Sequence, residues 1–197
     1  MKKDIILAGV GGQGILSIAA CIGLAAVDNG LFLKQAEVHG MSQRGGAVES
    51  NLRLSNKEIA SDLIPYGQAD LIISVEPLES LRYLPWLHRE GWVITSSNAF
   101  VNIPNYPDQE AVKTEIKKIK NHIFIDAEVI AKELGSVRSA NMVMLGAATP
   151  FFEMPIEQIE KAIAKLFGNK GTAVIELNQK AMKAGYEFTN KELAEKQ

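Results

Sequence analysis

Asp4-Ile5-Ile6-Leu7-Ala8-Gly9-Val10-Gly11-Gly12-Gln13-Gly14-Ile15-Leu16-Ser17 stands near the start of the chain and governs what the rest can be. The segment before Gly9 is rich in Ile and Leu and reads as a buried strand. Glycines at 9, 11, 12 and 14 then interrupt it. An apolar, Ala-rich run over 15–27 reads as a helix packed on the sheet. Gly9, Gly11 and Gly14 satisfy G-x-G-x-x-G, the spacing of a strand–turn–helix nucleotide site. In that spacing the first glycine allows the tight turn and the second lets backbone N–H groups approach a ligand. The third lets helix and strand close together. The helix start supplies N–H groups without partners and a partial positive charge, both of which attract an anion.

The 197 residues carry 21 basic and 23 acidic side chains, a net charge of −2. That length suits one α/β domain with a sizeable core, and that balance offers nucleic acid no basic patch. Cys21 is the one cysteine. It excludes an internal disulfide and cannot alone hold an iron–sulfur cluster, which needs about four thiolates. A reducing cytoplasm fits this usage. Met1-Lys2-Lys3 followed by the uncharged run 5–27 imitates a signal or membrane segment, and Ile18-Ala19-Ala20-Cys21 imitates a lipoprotein cleavage site. Gly11-Gly12-Gln13-Gly14 would then fall inside the hydrophobic region, where helix formers belong, and Asp4 spoils the basic start. The run is therefore expected to be strand and helix, with no membrane association.

Downstream, Asn29-Gly30 stops the first helix and 31–35 is a second strand. Residues 47–54 alternate, with Val48, Ser50, Leu52 and Leu54 on one side and Glu49, Asn51 and Arg53 on the other. This predicts a half-exposed strand that turns at 55–58 into Ile59-Ala60 as an antiparallel hairpin. Strands are expected at 71–75, 92–96 and 122–126. Helices are expected at 78–87 (with Leu78, Leu81, Leu84 and Leu87 as a core stripe), 108–120, 127–134, 139–148, 155–167 and 172–184. Strands alternating with helices predict a three-layer α/β/α fold with a mainly parallel, Rossmann-like sheet and an antiparallel hairpin near 47–60. Residues 1–190 form a single domain and 191–197 a solvated C-terminal tail.

The loop Glu37-Val38-His39-Gly40-Met41-Ser42-Gln43-Arg44-Gly45-Gly46 gathers an acid, an imidazole, an amide and a guanidinium beside the glycine turn. Gly11, Gly12, Gln13, Gly14, Glu37, Ser42, Arg44 and Gly45 are the candidate binding residues. Arg44 could fork onto a phosphate or carboxylate, or make a subunit contact. Glu37 stands where a dinucleotide fold keeps its ribose-binding acid, and could instead cap the loop or pair with Arg44. Ser42 either caps a turn or touches ligand. His39 has no second histidine at metal-ligand spacing, so a structural hydrogen bond is favoured and no metal site is expected. Cys21 reads as core. Asn141 and Asn178, amides in apolar helices, need partners. Trp86 and Trp92 are candidates for partial exposure at a subunit contact.

Gly9-Val10-Gly11-Gly12-Gln13-Gly14 followed by Ser42-Gln43-Arg44-Gly45-Gly46, with the later Asn178-x-x-Ala181-x-x-x-Gly185, resembles the gamma-type domain of the 2-oxoacid:ferredoxin oxidoreductases. The likeness spans nearly the whole chain and is nearest to the small (beta) subunits acting on indolepyruvate. It implies oxidative decarboxylation of an aryl 2-oxoacid, with coenzyme A and oxidised ferredoxin giving acyl-CoA, carbon dioxide and reduced ferredoxin. It also implies that thiamine diphosphate and the 4Fe–4S clusters sit on a large (alpha) subunit. This chain lacks a Gly-Asp-Gly thiamine motif and would contact coenzyme A while being inactive alone. The isolated chain could form a homodimer. The rival expectation is a stand-alone NAD(P)-binding oxidoreductase that uses Glu37 on the ribose.

Overall fold

A computed structural model describes residues 1–39, 45–101 and 103–196, without the His39 side chain. The elements run β1 (Lys2–Val10), α1 (Ile15–Asp28), β2 (Phe32–His39), β3 (Ala47–Ser55), β4 (Ala69–Ser74), α2 (Pro77–Arg82) and β5 (Leu87–Ser96). They continue with α3 (Gln109–Lys117), β6 (His122–Ile125), α4 (Ala127–Glu133), α5 (Ala140–Ala148), α6 (Ile156–Phe167) and α7 (Thr172–Glu195). Six strands form one sheet in the order β2-β3-β1-β4-β5-β6. β1, β4, β5 and β6 pair in parallel, whereas β3 runs antiparallel to both β1 and β2.

The layers follow from strand periodicity. Ile5 and Leu7 face one side of the sheet and join α1, α4, α5, α6 and α7 in the large core. Ile6 and Ala8 face the other, with Ile64, Ile72, Tyr83 and Val93. A central strand buried on both faces needs the continuous apolar run that β1 has. The three-layer, mainly parallel α/β expectation holds. Among the described residues no helix is long and apolar enough to cross a membrane.

Three local expectations change. The partners of β3 are β1 and β2, and residues 59–60 form no strand, so there is no hairpin within 47–60. The reason lies on the polar side of β3. Segment 56–66 crosses that face instead of pairing with its edge. Asn51 Oδ1 accepts from Ile64 N at 3.0 Å, and Arg53 Nη1 donates to the carbonyls of Ser61 and Leu63 at 3.0 and 2.9 Å. Arg53 also forks onto Asp4, Nε to Oδ1 at 2.7 Å and Nη2 to Oδ2 at 3.0 Å, and Asp4 is 1% exposed. β3 is thereby a covered inner strand, not a half-exposed one.

The expected helix 78–87 ends at Arg82, because Pro85 cannot continue it and Leu87 already begins β5. Its leucines are half-buried, and Glu79, Ser80 and Tyr83 are the buried side chains instead. Burial pushes the Tyr83 hydroxyl up to about 12. The last helix passes 184 and runs to Glu195, so 191–195 are helical, with Leu193 packed against the core. Asn178, Ala181 and Gly185 share the buried face of this helix, at three- and four-residue spacing. Gly185 meets Val143 O and Gly146 meets Met182 O, closer than any Cβ would allow, which lets α5 and α7 touch backbone to backbone.

Candidate functional site

The chain leaves β1 through α1 toward β2 and β3 on one side, and later enters β4 on the other. The carboxyl ends of β1 and β4 therefore flank a topological switch point, where open α/β sheets place their ligands. A crevice with about 140 Å³ of room opens there. Gly12, Gln13, Val75 and Ser96 line it from the strand ends, and Glu128, Arg138, Asn141 and Met144 from the helices beyond.

The glycine turn is braced from inside. Gln13 Oε1 accepts from Val10 N at 2.8 Å, and Gln13 Nε2 reaches Val75 O at 3.5 Å. Its amide thus ties the end of β1 to the end of β4. Gly14 is the N-cap of α1 in the left-handed region, at φ 80 and ψ 24. A Cβ there would come within 2.4 Å of Asn141 Nδ2, and that nitrogen donates to Gly14 O at 3.2 Å. This carbonyl is the partner that the Asn141 amide was expected to need. The role of Asn141 is to hold the turn across 127 positions of sequence. Gly9 belongs to β1, and a Cβ on it would meet Val75 and Ile15, so it serves close packing of strand on helix.

Not every glycine N–H faces the crevice. Gly11 N donates to Gly46 O at 2.8 Å, and Gly45 N donates to Gly11 O at 3.3 Å. This reciprocal pair is backbone structure, so Gly11, expected to present its N–H to a ligand, spends it on the start of β3. Gly45, with φ 81, is likewise occupied. From the turn, Gly12 and Gln13 line the crevice; Ile15 N and Leu16 N precede the first possible i−4 bond of α1 but are not among the crevice's lining residues. Ser17 N and Ile18 N already bond to Gly14 O.

Glu37 lies within β2, two strand spacings or about 10 Å from β1, and is not among the crevice residues. The antiparallel β3 inserted between β1 and β2 is what moves it away. Ser42 and Arg44, together with Gln43 and the side chain of His39, lie outside the described residues. Cys21 is fully buried in α1, and burial pushes its thiol up to about 12.

Two groups at this end of the sheet were not foreseen. Arg138, on the short turn Val137–Ser139 before α5, lines the crevice, and no ion pair to it is formed among the described residues. The turn is fixed by Ser139, whose N and Oγ both donate to Ser136 O. Glu76, just after β4, is 1% exposed and caps α2 by accepting from Glu79 N at 2.9 Å. Its second oxygen accepts from Phe100 N at 3.3 Å and from Tyr106 OH at 2.5 Å. Burial first, then this carboxylate, pushes the Tyr106 hydroxyl up. Neither residue has a sequence signature, because each acquires its role from a distant segment. Among the described residues no cluster of three acidic, His or Cys side chains is set to hold a metal.

Residues 4–188 match the protein family described as pyruvate ferredoxin/flavodoxin oxidoreductase. The chain is 36% identical over 195 residues to the indolepyruvate oxidoreductase subunit IorB of Archaeoglobus fulgidus, covering 94% of each. It is similar to the gamma subunit of a keto/oxoacid ferredoxin oxidoreductase from Geobacter sulfurreducens, at TM-score 0.71 and 24% identity over 96% of this chain and 99% of that one. A third likeness, TM-score 0.76 at 22% identity, covers 96% of this chain and 31% of a 2-oxoglutarate:ferredoxin oxidoreductase chain from Magnetococcus marinus. That structure is described as holding 2-oxoglutarate, coenzyme A and succinyl-CoA. At these identities the two structures speak for the fold.

Proposed function

The chain belongs to the pyruvate ferredoxin/flavodoxin oxidoreductase family, and from that premise we propose that it works as the small subunit of an indolepyruvate-type 2-oxoacid:ferredoxin oxidoreductase. The complex would convert an aryl 2-oxoacid, coenzyme A and oxidised ferredoxin into acyl-CoA, carbon dioxide and reduced ferredoxin. This chain would position an anionic group and leave the redox and carbanion chemistry to the large subunit. One buried thiol does not fit a cluster, and no thiamine-binding motif is present, so both cofactors are assigned to the partner. A reducing cytoplasm suits a chain built this way.

The observation that carries this reading is the small crevice at the sheet switch point with Arg138 on its wall. About 140 Å³ takes a phosphate or carboxylate end group. It is well below the roughly 300–1,000 Å³ of a site that swallows a whole ligand. A stand-alone dinucleotide enzyme is therefore disfavoured, as it is by the displacement of Glu37 from β1. A crevice that grips one end of coenzyme A or of the oxoacid makes sense when a second subunit supplies the rest. Gly12 and Arg138 would hold the anion, while Val75 and Met144 shield it. Fixing one reactant beside an intermediate on the partner removes part of the entropic barrier.

Purified alone, the chain should show no oxoacid-dependent ferredoxin reduction, and adding the large subunit should restore it. In the reconstituted complex Arg138→Ala should raise KM for coenzyme A or for the oxoacid about ten- to a hundredfold. That is the loss of one charge-assisted hydrogen bond of about 1.5–3 kcal/mol. Full turnover by the large subunit without this chain would refute the assignment.

A further inference from the structure

The two edges of the sheet are handled differently. β6 has only four residues, α3 and α7 lie against it, and Lys196 Nζ donates to His122 O at 2.8 Å. β2 has eight residues and keeps unbroken register with β3 along its inner side. Among the described residues, no group outside β3 hydrogen-bonds to the backbone of Phe32–Ala36. β2 carries no proline and no bulge, and the Nζ of its one lysine, Lys34, is turned back to Ala60 O at 3.2 Å. Phe32 and Val38, near its two ends, are 51% and 60% exposed. Of the usual protections of a free strand edge, prolines and bulges are missing here, and the charged side chains are Lys34, held to Ala60 O, and Glu37.

We propose that a second copy of the chain completes this edge, β2 of one protomer pairing antiparallel with β2 of its partner about a two-fold axis normal to the sheet. Such an axis preserves the two faces of the sheet. Residues that stand opposite must then have the same parity in sequence, because side chains alternate faces. Two registers overlap all but one residue of the eight-residue strand, one centred on Gln35 and one on Ala36. Centring on Gln35 sets Phe32 against the partner's Val38 at both ends, covering the two exposed apolar side chains, and opposes no like charges. Centring on Ala36 runs Phe32 past the end of the partner strand and sets Lys34 against the partner's Val38. The first register is the self-complementary one, and it extends one sheet through two protomers. The strand thus fits its own copy, which is why a second copy is the occupant. The inference stands on the edge alone and holds whichever anion the crevice takes.

The test uses the full-length chain, alone and assembled with the large subunit. Buried Cys21 leaves a clean background for an introduced thiol. Under mild oxidation Gln35→Cys should give a disulfide-linked dimer of this chain in both preparations, while Ala36→Cys and the unmodified chain should not. By light scattering, Phe32→Lys and Val38→Glu should each raise the dimer dissociation constant at least tenfold. Combining the two substitutions in one chain should recover dimerisation, since each introduced ammonium would face an introduced carboxylate across the two-fold axis. Circular dichroism checks that each variant is folded. Cross-linking of Gln35→Cys to the large subunit, or a monomeric chain with no cross-link, would overturn the proposal. Cross-linking through Ala36→Cys would overturn the register.

Discussion

Asp4 and Arg53 form the most demanding contact in the molecule. Both are nearly buried, the guanidinium is bidentate on the carboxylate, and its remaining nitrogen holds the segment that crosses β3. Arg53→Ala would leave a buried carboxylate with only Lys2 beside it, and should cost about 3–5 kcal/mol in urea unfolding. Cys21 should resist maleimide at pH 8 until the chain is denatured, as burial lifts its thiol to about 12. A thiol raised in the folded state favours folding below its unfolded value and loses that contribution as pH rises. Stability above pH 9 should therefore fall less steeply in Cys21→Ala, as thermal melts would register. At this scale the sequence was legible where a residue's chemistry is self-contained: Cys21 as core, Asn141 as an amide in need of a partner. It was silent on Arg138 and Glu76, ordinary charged residues until folding brings the crevice to one and Phe100 and Tyr106 to the other. Gln13 was recognised but its task was not, because the carbonyl of Val75 that it reaches is 62 positions away.

Among elements, the close crossing of α5 on α7 is the least forgiving. A Cβ at Gly146 would sit 1.8 Å from Met182 O, and one at Gly185 1.9 Å from Val143 O. Backbone cannot rotate out of the way as a side chain can. Gly146→Ala should therefore cost at least the 1–3 kcal/mol typical of overpacking, and Gly185→Ala a similar amount, measured as a lower urea midpoint. Gly12→Ala is the contrasting case. Nothing lies within 4 Å of the added carbon, so only the strained φ of 101 opposes it, about 1–2 kcal/mol. Amphipathic helices such as α3 and α6 were legible because one face meets the core at a regular period. The strand β3 misled because its Asn51 and Arg53 look like a solvent face. They are covered by a polar crossing segment, and alternation reports polarity rather than exposure. The leucines of 78–87 misled for the opposite reason: Pro85 ends the helix before the stripe can form.

For the molecule as a whole, the alternation of strands and helices and the glycine turn were enough to fix the layers. They could not fix the order of strands, since a β1–α1–β2 segment reads the same whether β2 lands beside β1 or one place further out. That choice decides whether Glu37 reaches the turn, as the acid of a dinucleotide site must. Titrating the purified chain with NADH should accordingly give no stoichiometric fluorescence change. The place beside β1 is filled by residues 47–55, and the bonds between Gly11 and Gly45-Gly46 need that same return of the chain. A ribosome that has released the first forty residues has therefore delivered the whole fingerprint with none of its shape. A fragment of that length, however faithful to the motif, should behave as a chain without a cradle.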